Sequence, residues 1–333
     1  MDYYLLRYLS FRKIINLFQI KIGYWLSLLF KKVIVWGYPH SITTEPTNHC
    51  NLNCIECPTG NNLSTRPKGF IDIDLYKSVI KEVKGYVIYQ MIYFQGEPFL
   101  NSNIFELIKY ADQNRIYTCT STNGHYLSKD NCEKIIRSGL KKIIISVDGT
   151  TQQTYSKYRI GGNLSKVIEG IQNLVELKQV YKTKYPLINL QFIVFKHNQL
   201  EINDFRKLSR RLGIDKTEIK SAQIENFKLN DNLIPTLNKY SRYTLKNNQF
   251  VIKNRLRNRC SRIWNTMVIS WEGNISPCCF DKDSTFILGN LKKDNALAIW
   301  NSTFFNDFRH NILKNRKKIT ICRNCTEGLR IKF

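Results

Sequence analysis

Six apolar runs rich in Ile, Val and Tyr, interleaved with helical patterns, constrain this chain more than any other feature. The strand-like runs cover 41–47, 87–94, 117–122, 142–147 and 187–195, with a weaker sixth at 217–224. Helical patterns fall between them, at 75–84, 104–114, 163–181 and 202–212. This alternation implies an α/β fold built on a parallel sheet covered by helices. A length of 333 residues suits one medium domain and one smaller one. The order along the chain is a helical extension over 1–40, the α/β body over 41–226, a polar, basic linker over 227–259, and a cysteine-bearing domain over 260–333. No internal repeat or low-complexity tract interrupts it.

The first run leads into Cys50-Asn51-Leu52-Asn53-Cys54-Ile55-Glu56-Cys57. A four-iron cluster needs four ligands, so three thiolates leave one iron open, much as a catalytic zinc keeps a position that a structural zinc lacks. Such a cluster can bind a small chelating molecule and pass it an electron. Zinc or three unrelated core cysteines are the other readings. Common zinc sites use pairs of Cys-x-x-Cys or Cys/His sets, which a lone three-cysteine loop fits poorly.

Three further stretches close strand-like runs: Phe94-Gln95-Gly96-Glu97-Pro98, Ser121-Thr122-Asn123-Gly124 and Ser146-Val147-Asp148-Gly149. Taken alone, the last two are turns with Asn-Gly and Asp-Gly chemistry. Gly96 lets backbone approach a ligand closely, and Glu97 can accept from an ammonium.

The CxxxCxxC loop with these stretches behind it resembles the radical S-adenosylmethionine (radical SAM) superfamily. The resemblance implies a partial (β/α)6 TIM-like barrel, with the cysteine loop at the C-terminal rim where such barrels place their sites. It implies that Cys50, Cys54 and Cys57 hold a [4Fe–4S] cluster whose fourth iron is chelated by SAM. Gly96 and Glu97 then stand in the Gly-Gly-Glu motif that grips the SAM amino group, with Gln95 replacing the first glycine. Ser121, Asn123, Ser146 and Asp148 are candidates for ribose and carboxylate contacts. Arg159 is a candidate partner for a carboxylate of SAM or substrate, or else a solvated surface cation. Glu56 departs from the pattern, since many members carry an aromatic there.

A second set comprises Cys260, Cys278, Cys322 and Cys325. The stretch from the first to the last resembles the SPASM/twitch extension behind some radical SAM barrels. No further cysteine follows Cys325, so the twitch version with one auxiliary [4Fe–4S] cluster matches better than the seven-cysteine form. Four thiolates would close that cluster to SAM and suit it to electron transfer. Tetrahedral zinc is the competing occupant. Cys279 reads as a spare that could exchange roles with its neighbour, and Cys119 and Cys132 as small buried hydrophobes.

Lys and Arg number 51 against 26 Asp and Glu, a net charge of +25. Ten cysteines without a signal peptide argue for a reducing cytoplasm, and the resemblance implies anaerobic conditions. The basic excess fits nucleic acid, anionic lipid or a phosphorylated substrate, or solvated faces alone; no specific nucleic acid is expected. In the first 40 residues apolar side chains alternate with Arg7, Arg12, Lys13, Lys21, Lys31 and Lys32. The longest charge-free stretch, 22–30, is nine residues, against the roughly 20 that span a bilayer. Such a helix could lie in a membrane interface, peripheral to the inner face, or cap the barrel.

By resemblance, SAM is cleaved to a radical that removes a hydrogen atom from a small polar, sugar-like or glycolipid substrate, which is oxidised or epimerised. A reducing partner such as flavodoxin or ferredoxin would supply the electron. Asp281 is a candidate base for the proton lost in an oxidation. The alternatives are a peptide-modifying maturase and, from another class, a non-catalytic metal-stabilised protein binding membrane or nucleic acid.

Overall fold

A computed structural model describes residues 3–228, 231–253 and 256–325. The last residues of the cysteine-bearing domain, 326–333, lie outside the described residues, as do parts of the stretch read as a linker.

The body is a parallel sheet wound with helices. Its strands are β1 (Ser41–Thr44), β2 (Tyr89–Met91), β3 (Tyr117–Thr122), β4 (Lys142–Ser146), β5 (Leu187–Val194) and β6 (Lys216–Ser221). They pair in sequence order, all parallel. Successive neighbours joined by helices are what parallel pairing demands. The helices are α1 (Phe11–Phe30), α2 (Ile73–Val83), α3 (Ile104–Gln113), α4 (Lys129–Arg137), α5 (Gln152–Tyr158), α6 (Leu164–Val180) and α7 (Ile202–Arg211). Asp72, Ser128 and Asn163 cap α2, α4 and α6 by accepting from backbone N–H groups in the first turn. The central strands are buried on both faces: Ile143, Ile145, Ile188 and Leu190 are fully enclosed.

The C-terminal residues extend this sheet. Strand β9 (Thr266–Ile269) pairs parallel to β1, followed by antiparallel β10 (Asn274–Ser276) and β11 (Gly289–Asn290). One nine-stranded sheet results, in the order β11-β10-β9-β1-β2-β3-β4-β5-β6. Helices α8 (Arg262–Asn265), α9 (Ala296–Asn301) and α10 (Thr303–Asn315) complete the domain. Trp264, Trp300 and Phe305 share a core with Ile42, Tyr76 and Val83 of the body.

The stretch read as a linker is partly structured. It carries a hairpin, β7 (Tyr243–Lys246) and β8 (Gln249–Ile252), whose turn residues Asn247 and Asn248 both have positive φ. Tyr243 packs with Leu52 and Cys54 beneath the cysteine loop.

Helix α1 lies across the N-terminal ends of the strands. Lys13 Nζ donates to Arg115 O at 2.6 Å, just ahead of β3, and Asn16 Nδ2 to Tyr38 O at 2.9 Å, just ahead of β1. No described helix is long and apolar enough to cross a membrane.

Candidate active site at the cysteine loop

Four chain segments build the site at the C-terminal ends of β1 to β4. The cysteine loop follows β1 and is held by its own backbone: Cys57 N donates to Cys54 O at 3.2 Å and Asn61 N to Cys57 O at 2.9 Å. Asn53 N reaches Ile160 O at 3.0 Å, tying the loop to the segment behind α5. Glu56, at the position where an aromatic was expected, accepts from Glu225 N at 2.9 Å and fastens the loop to the chain beyond β6.

Gly96 has φ +72°, and a Cβ there would lie 2.5 Å from Thr47 O and 2.6 Å from His49 O. The close approach it permits is to the backbone entering the cysteine loop, since Glu97 N also donates to His49 O at 2.7 Å. Glu97 is buried and its carboxylate accepts from Thr122 Oγ1 at 2.8 Å, Asn123 N at 2.8 Å and Phe99 N at 3.3 Å. A carboxylate has about four acceptor positions, so one remains for an ammonium. Burial pushes Glu97 up to about 7, against the pull of those hydrogen bonds and of Arg159. Asn123 Nδ2 donates to Asn51 Oδ1 at 2.8 Å, so the turn after β3 grips the cysteine loop directly. His125 Nε2 accepts from Asn163 N at 2.8 Å, which leaves Nδ1 as the donor to Asn123 Oδ1 at 3.0 Å.

Asp148 and Arg159 form a buried ion pair at 2.7 Å, and Asp148 also accepts from Ile193 N at 2.7 Å. Each candidate ligand contact therefore already has a protein partner. The pair still brings the Arg159 cation close enough to Cys54 to favour its thiolate. Ser121 is half-buried near the end of β3 and Ser146 is buried at the end of β4.

The three thiols act on one another's charge. Burial, against the pull of Arg159 and helped by the neighbouring Cys57 and Cys50 sulfurs, pushes Cys54 up to about 11. Cys50 is likewise raised by burial, Glu97 and Cys57. Sulfurs close enough to oppose one another's ionisation, with one nearby protein cation, need positive charge from a metal to become thiolates together.

Cys260, Cys278, Cys322 and Cys325 line a single cavity with Phe308, Ile312 and Arg316. Arg316 Nη2 donates to Cys325 Sγ at 3.5 Å. Burial raises Cys278 far above its usual value, and Cys279, Cys260 and Cys322 add to that. Cys279 instead accepts from Arg262 Nη1 at 3.1 Å. Cys119 and Cys132 are fully buried in the body. Asp281, the candidate base, is 1 % exposed. Its oxygens accept from Thr285 N, Thr285 Oγ1 and Phe286 N at 2.8, 2.7 and 2.9 Å, so it organises the turn that follows Cys278.

A buried connection joins the two cysteine regions. Arg66, in the segment after the cysteine loop, bonds Glu45 at the end of β1 and Glu272 beyond β9. Beside it, Asp283 accepts from Ser64 Oγ at 2.6 Å and Thr65 N at 3.0 Å.

Two family models match the chain: the radical SAM superfamily over residues 44–190, and the SPASM iron–sulfur cluster-binding domain over 260–326. Residues 44–190 are a radical SAM domain. Residues 260–326 behind it are a SPASM domain, and the two domains imply SAM, a SAM-binding [4Fe–4S] cluster and auxiliary iron–sulfur as cofactors. Among curated relatives, the AdoMet-dependent heme synthase of Methanosarcina barkeri is 30% identical over 176 residues, 53% of this chain and 48% of that protein. The PqqA peptide cyclase of Gluconobacter oxydans is 26% identical over 186 residues, 56% of this chain and 50% of its own length. The chain thus spans about half the length of these relatives. Among solved structures, SuiB of Streptococcus suis bound to S-adenosylmethionine superposes with TM-score 0.66 at 14% identity, covering 89% of this chain and 74% of that one. The α/β body with its mostly parallel sheet has the fold of these radical SAM structures, followed by the SPASM domain.

Proposed function

We propose that this radical SAM enzyme oxidises a small polar molecule by removing a hydrogen atom from a carbon that bears a hydroxyl. The observation that favours oxidation over a redox-neutral outcome is Arg262. It lines the cavity of the four C-terminal cysteines and also an open cavity along β6, so substrate space and a second redox site share a wall. When bound, the cluster at Cys50, Cys54 and Cys57 supplies the electron that cleaves SAM reductively. The protein's own part is placement. The remaining acceptor position of Glu97 receives the SAM ammonium, Asn123 and Asn51 brace the loop, and Arg159 supplies positive charge beside Cys54. Burial of these groups keeps water from the reacting carbon. The test is anaerobic incubation with reductant, SAM and a panel of alcohols and amino-alcohols. One carbonyl product per 5′-deoxyadenosine is expected, and an epimer with no carbonyl would replace oxidation by epimerisation.

A peptide-modifying reading is favoured by the likeness to PqqA peptide cyclase. A groove of about 940 Å³ between residues 285–288 and α10 offers room for an extended chain. Coupled loss of mass from a precursor peptide would select this reading.

The protein also has a face suited to a membrane surface. Helix α1 is inverted: Lys13, Asn16, Ile20, Gly23 and Ser27 face the body, while Phe11, Phe18, Trp25 and Leu29 are 81%, 61%, 64% and 72% exposed. With Ile14, Ile15 and Ile22 these form an apolar stripe about 100° wide, the width that normally faces a core. From Tyr3 to Thr44 there are no Asp or Glu, and five Lys/Arg besides the buried Lys13. That charge complements an anionic phospholipid surface. Because α1 covers the N-terminal ends of the strands, a bilayer there would lie opposite the active site, and the substrate would arrive from the aqueous side.

A further inference from the structure

Strand β6 is the last strand on its side of the sheet, so among the described residues nothing pairs with its outer edge. A cavity of about 580 Å³ runs along that edge, a volume typical of small-molecule sites. Five cationic side chains, Arg206, Lys216, Lys220, Arg242 and Arg262, line it together with one carboxylate, Glu218.

Arg242 separates this cavity from an ordinary solvated basic face. It is only 9 % exposed, its Nε donates to Ser221 Oγ at 3.1 Å, and its Nη1 is buried with no hydrogen-bond partner. Burial accordingly pulls its guanidinium below the usual value. A buried guanidinium donor left unpaired costs free energy that a bound anion would return. The one acidic group does not fill that role. Glu218 accepts from Asn189 Nδ2 at 2.7 Å and lies 3.7 Å from Lys220 Nζ. Although burial acts to raise its pKa, Lys220, Asn189, Lys216 and Lys142 together hold it below the usual carboxylate range.

The cavity also adjoins the chemistry. Arg262 on its wall reaches the Cys279 sulfur. Tyr93, just beyond β2, is raised by burial first and then by Cys119, Cys279 and Glu218. Two residues on, Gln95 Oε1 accepts from Thr59 Oγ1 at 3.3 Å, within the cysteine loop's neighbourhood.

We propose that the β6-edge cavity binds the phosphoryl group of a phosphorylated small molecule, with Arg242 as the buried anchor and Lys220, Arg206 and Lys216 around it. A phosphate ester suits five cations facing one carboxylate better than a monocarboxylate does, and guanidinium groups meet its oxygens bidentately. That this ligand is the enzyme's substrate rests on the proposed hydrogen-abstraction chemistry; the anion site itself does not.

The test is calorimetric titration of inorganic phosphate into the reconstituted holoenzyme at fixed ionic strength, with chloride as the competing anion. Saturable one-site binding is expected. Arg242→Gln and the more exposed Lys220→Gln should each weaken it at least tenfold, while Glu218→Gln, which removes the only opposing charge, should tighten it. Arg242 is buried, so its variant is read only if circular dichroism and the iron content match the parent; Lys220→Gln carries the test otherwise. Absence of saturable binding, or affinities unchanged in Lys220→Gln and Glu218→Gln, would overturn the proposal. So would an affinity for single-stranded RNA that these variants weaken while phosphate binding stays unchanged. Reductive SAM cleavage without substrate, measured on the same preparation, reports separately on the radical chemistry.

Discussion

Glu97 shows what a single residue contributes here and how far its role could be read in advance. Its place in a Gly-Glu pair at a strand end was visible in the sequence, but its three donors were not, because Thr122 and Asn123 come from the next strand's turn. Those bonds make it the clasp between two turns as well as a candidate SAM contact. Its raised pKa, about 7 in the fold, against about 4.3 in an unfolded chain, means the folded state holds the extra proton between those values. Stability therefore falls as pH rises through that window, by up to about 4 kcal/mol. Denaturant unfolding of the cluster-free protein should show this loss, and Glu97→Gln should abolish it; parallel pH profiles for the two would contradict the assignment. Asp281 teaches the opposite lesson. A carboxylate near a cysteine ligand reads as a base, yet here its oxygens are taken by the turn at 281–286. Arg242 carried no motif at all, since its meaning depends on which groups fail to meet it.

At the scale of elements, periodicity served well where strands are buried. The run at 117–122 coincides with β3 (Tyr117–Thr122), and the other strands begin or end within a few residues of their apolar runs. Strand β2 is shorter than its run because the backbone turns toward Gly96 to meet the cysteine loop. Helix α5, of only seven residues, escaped notice, whereas the segment of Cys132 already reads as helix-like and is α4, with Cys132 and Ile135 as its buried stripe. The Asn247-Asn248 turn was a legible hairpin signal in a stretch read as linker. Least legible was the connection between the cysteine regions, because Arg66 and Glu272 are 206 residues apart. Arg66 ties the segment after the cysteine loop to the SPASM domain while neutralising Glu45, whose side chain is 0% exposed. Replacing it with Met leaves that charge buried and unpaired, a loss of about 3–5 kcal/mol. A fall in unfolding free energy under about 1 kcal/mol would show that the connection is solvated. The double variant Arg66→Met/Glu45→Gln should recover much of the loss.

For the whole molecule, the body and the SPASM domain share one sheet and one core, so the two cysteine sites are held on a common frame rather than on separately moving parts. The inverted helix α1 closes the far end of that frame. It predicts flotation with vesicles containing phosphatidylglycerol, lost in a Phe18→Ser/Trp25→Ser/Leu29→Ser variant and weakened by salt. Loss of a dimer in that variant, with no vesicle binding by the parent, would instead assign the face to a second copy of the chain. The proposed function requires a SAM-cleaving cluster at Cys50, Cys54 and Cys57 and one auxiliary cluster at the four C-terminal cysteines. Counting iron and zinc per chain after anaerobic reconstitution, in the parent and in variants lacking either cysteine set, tests it most directly. About eight irons in the parent and about four in each variant are predicted, with reductive formation of 5′-deoxyadenosine lost only when the first set is removed. About four irons together with one zinc in the parent would contradict the account, leaving the C-terminal site structural and the enzyme without an internal electron acceptor.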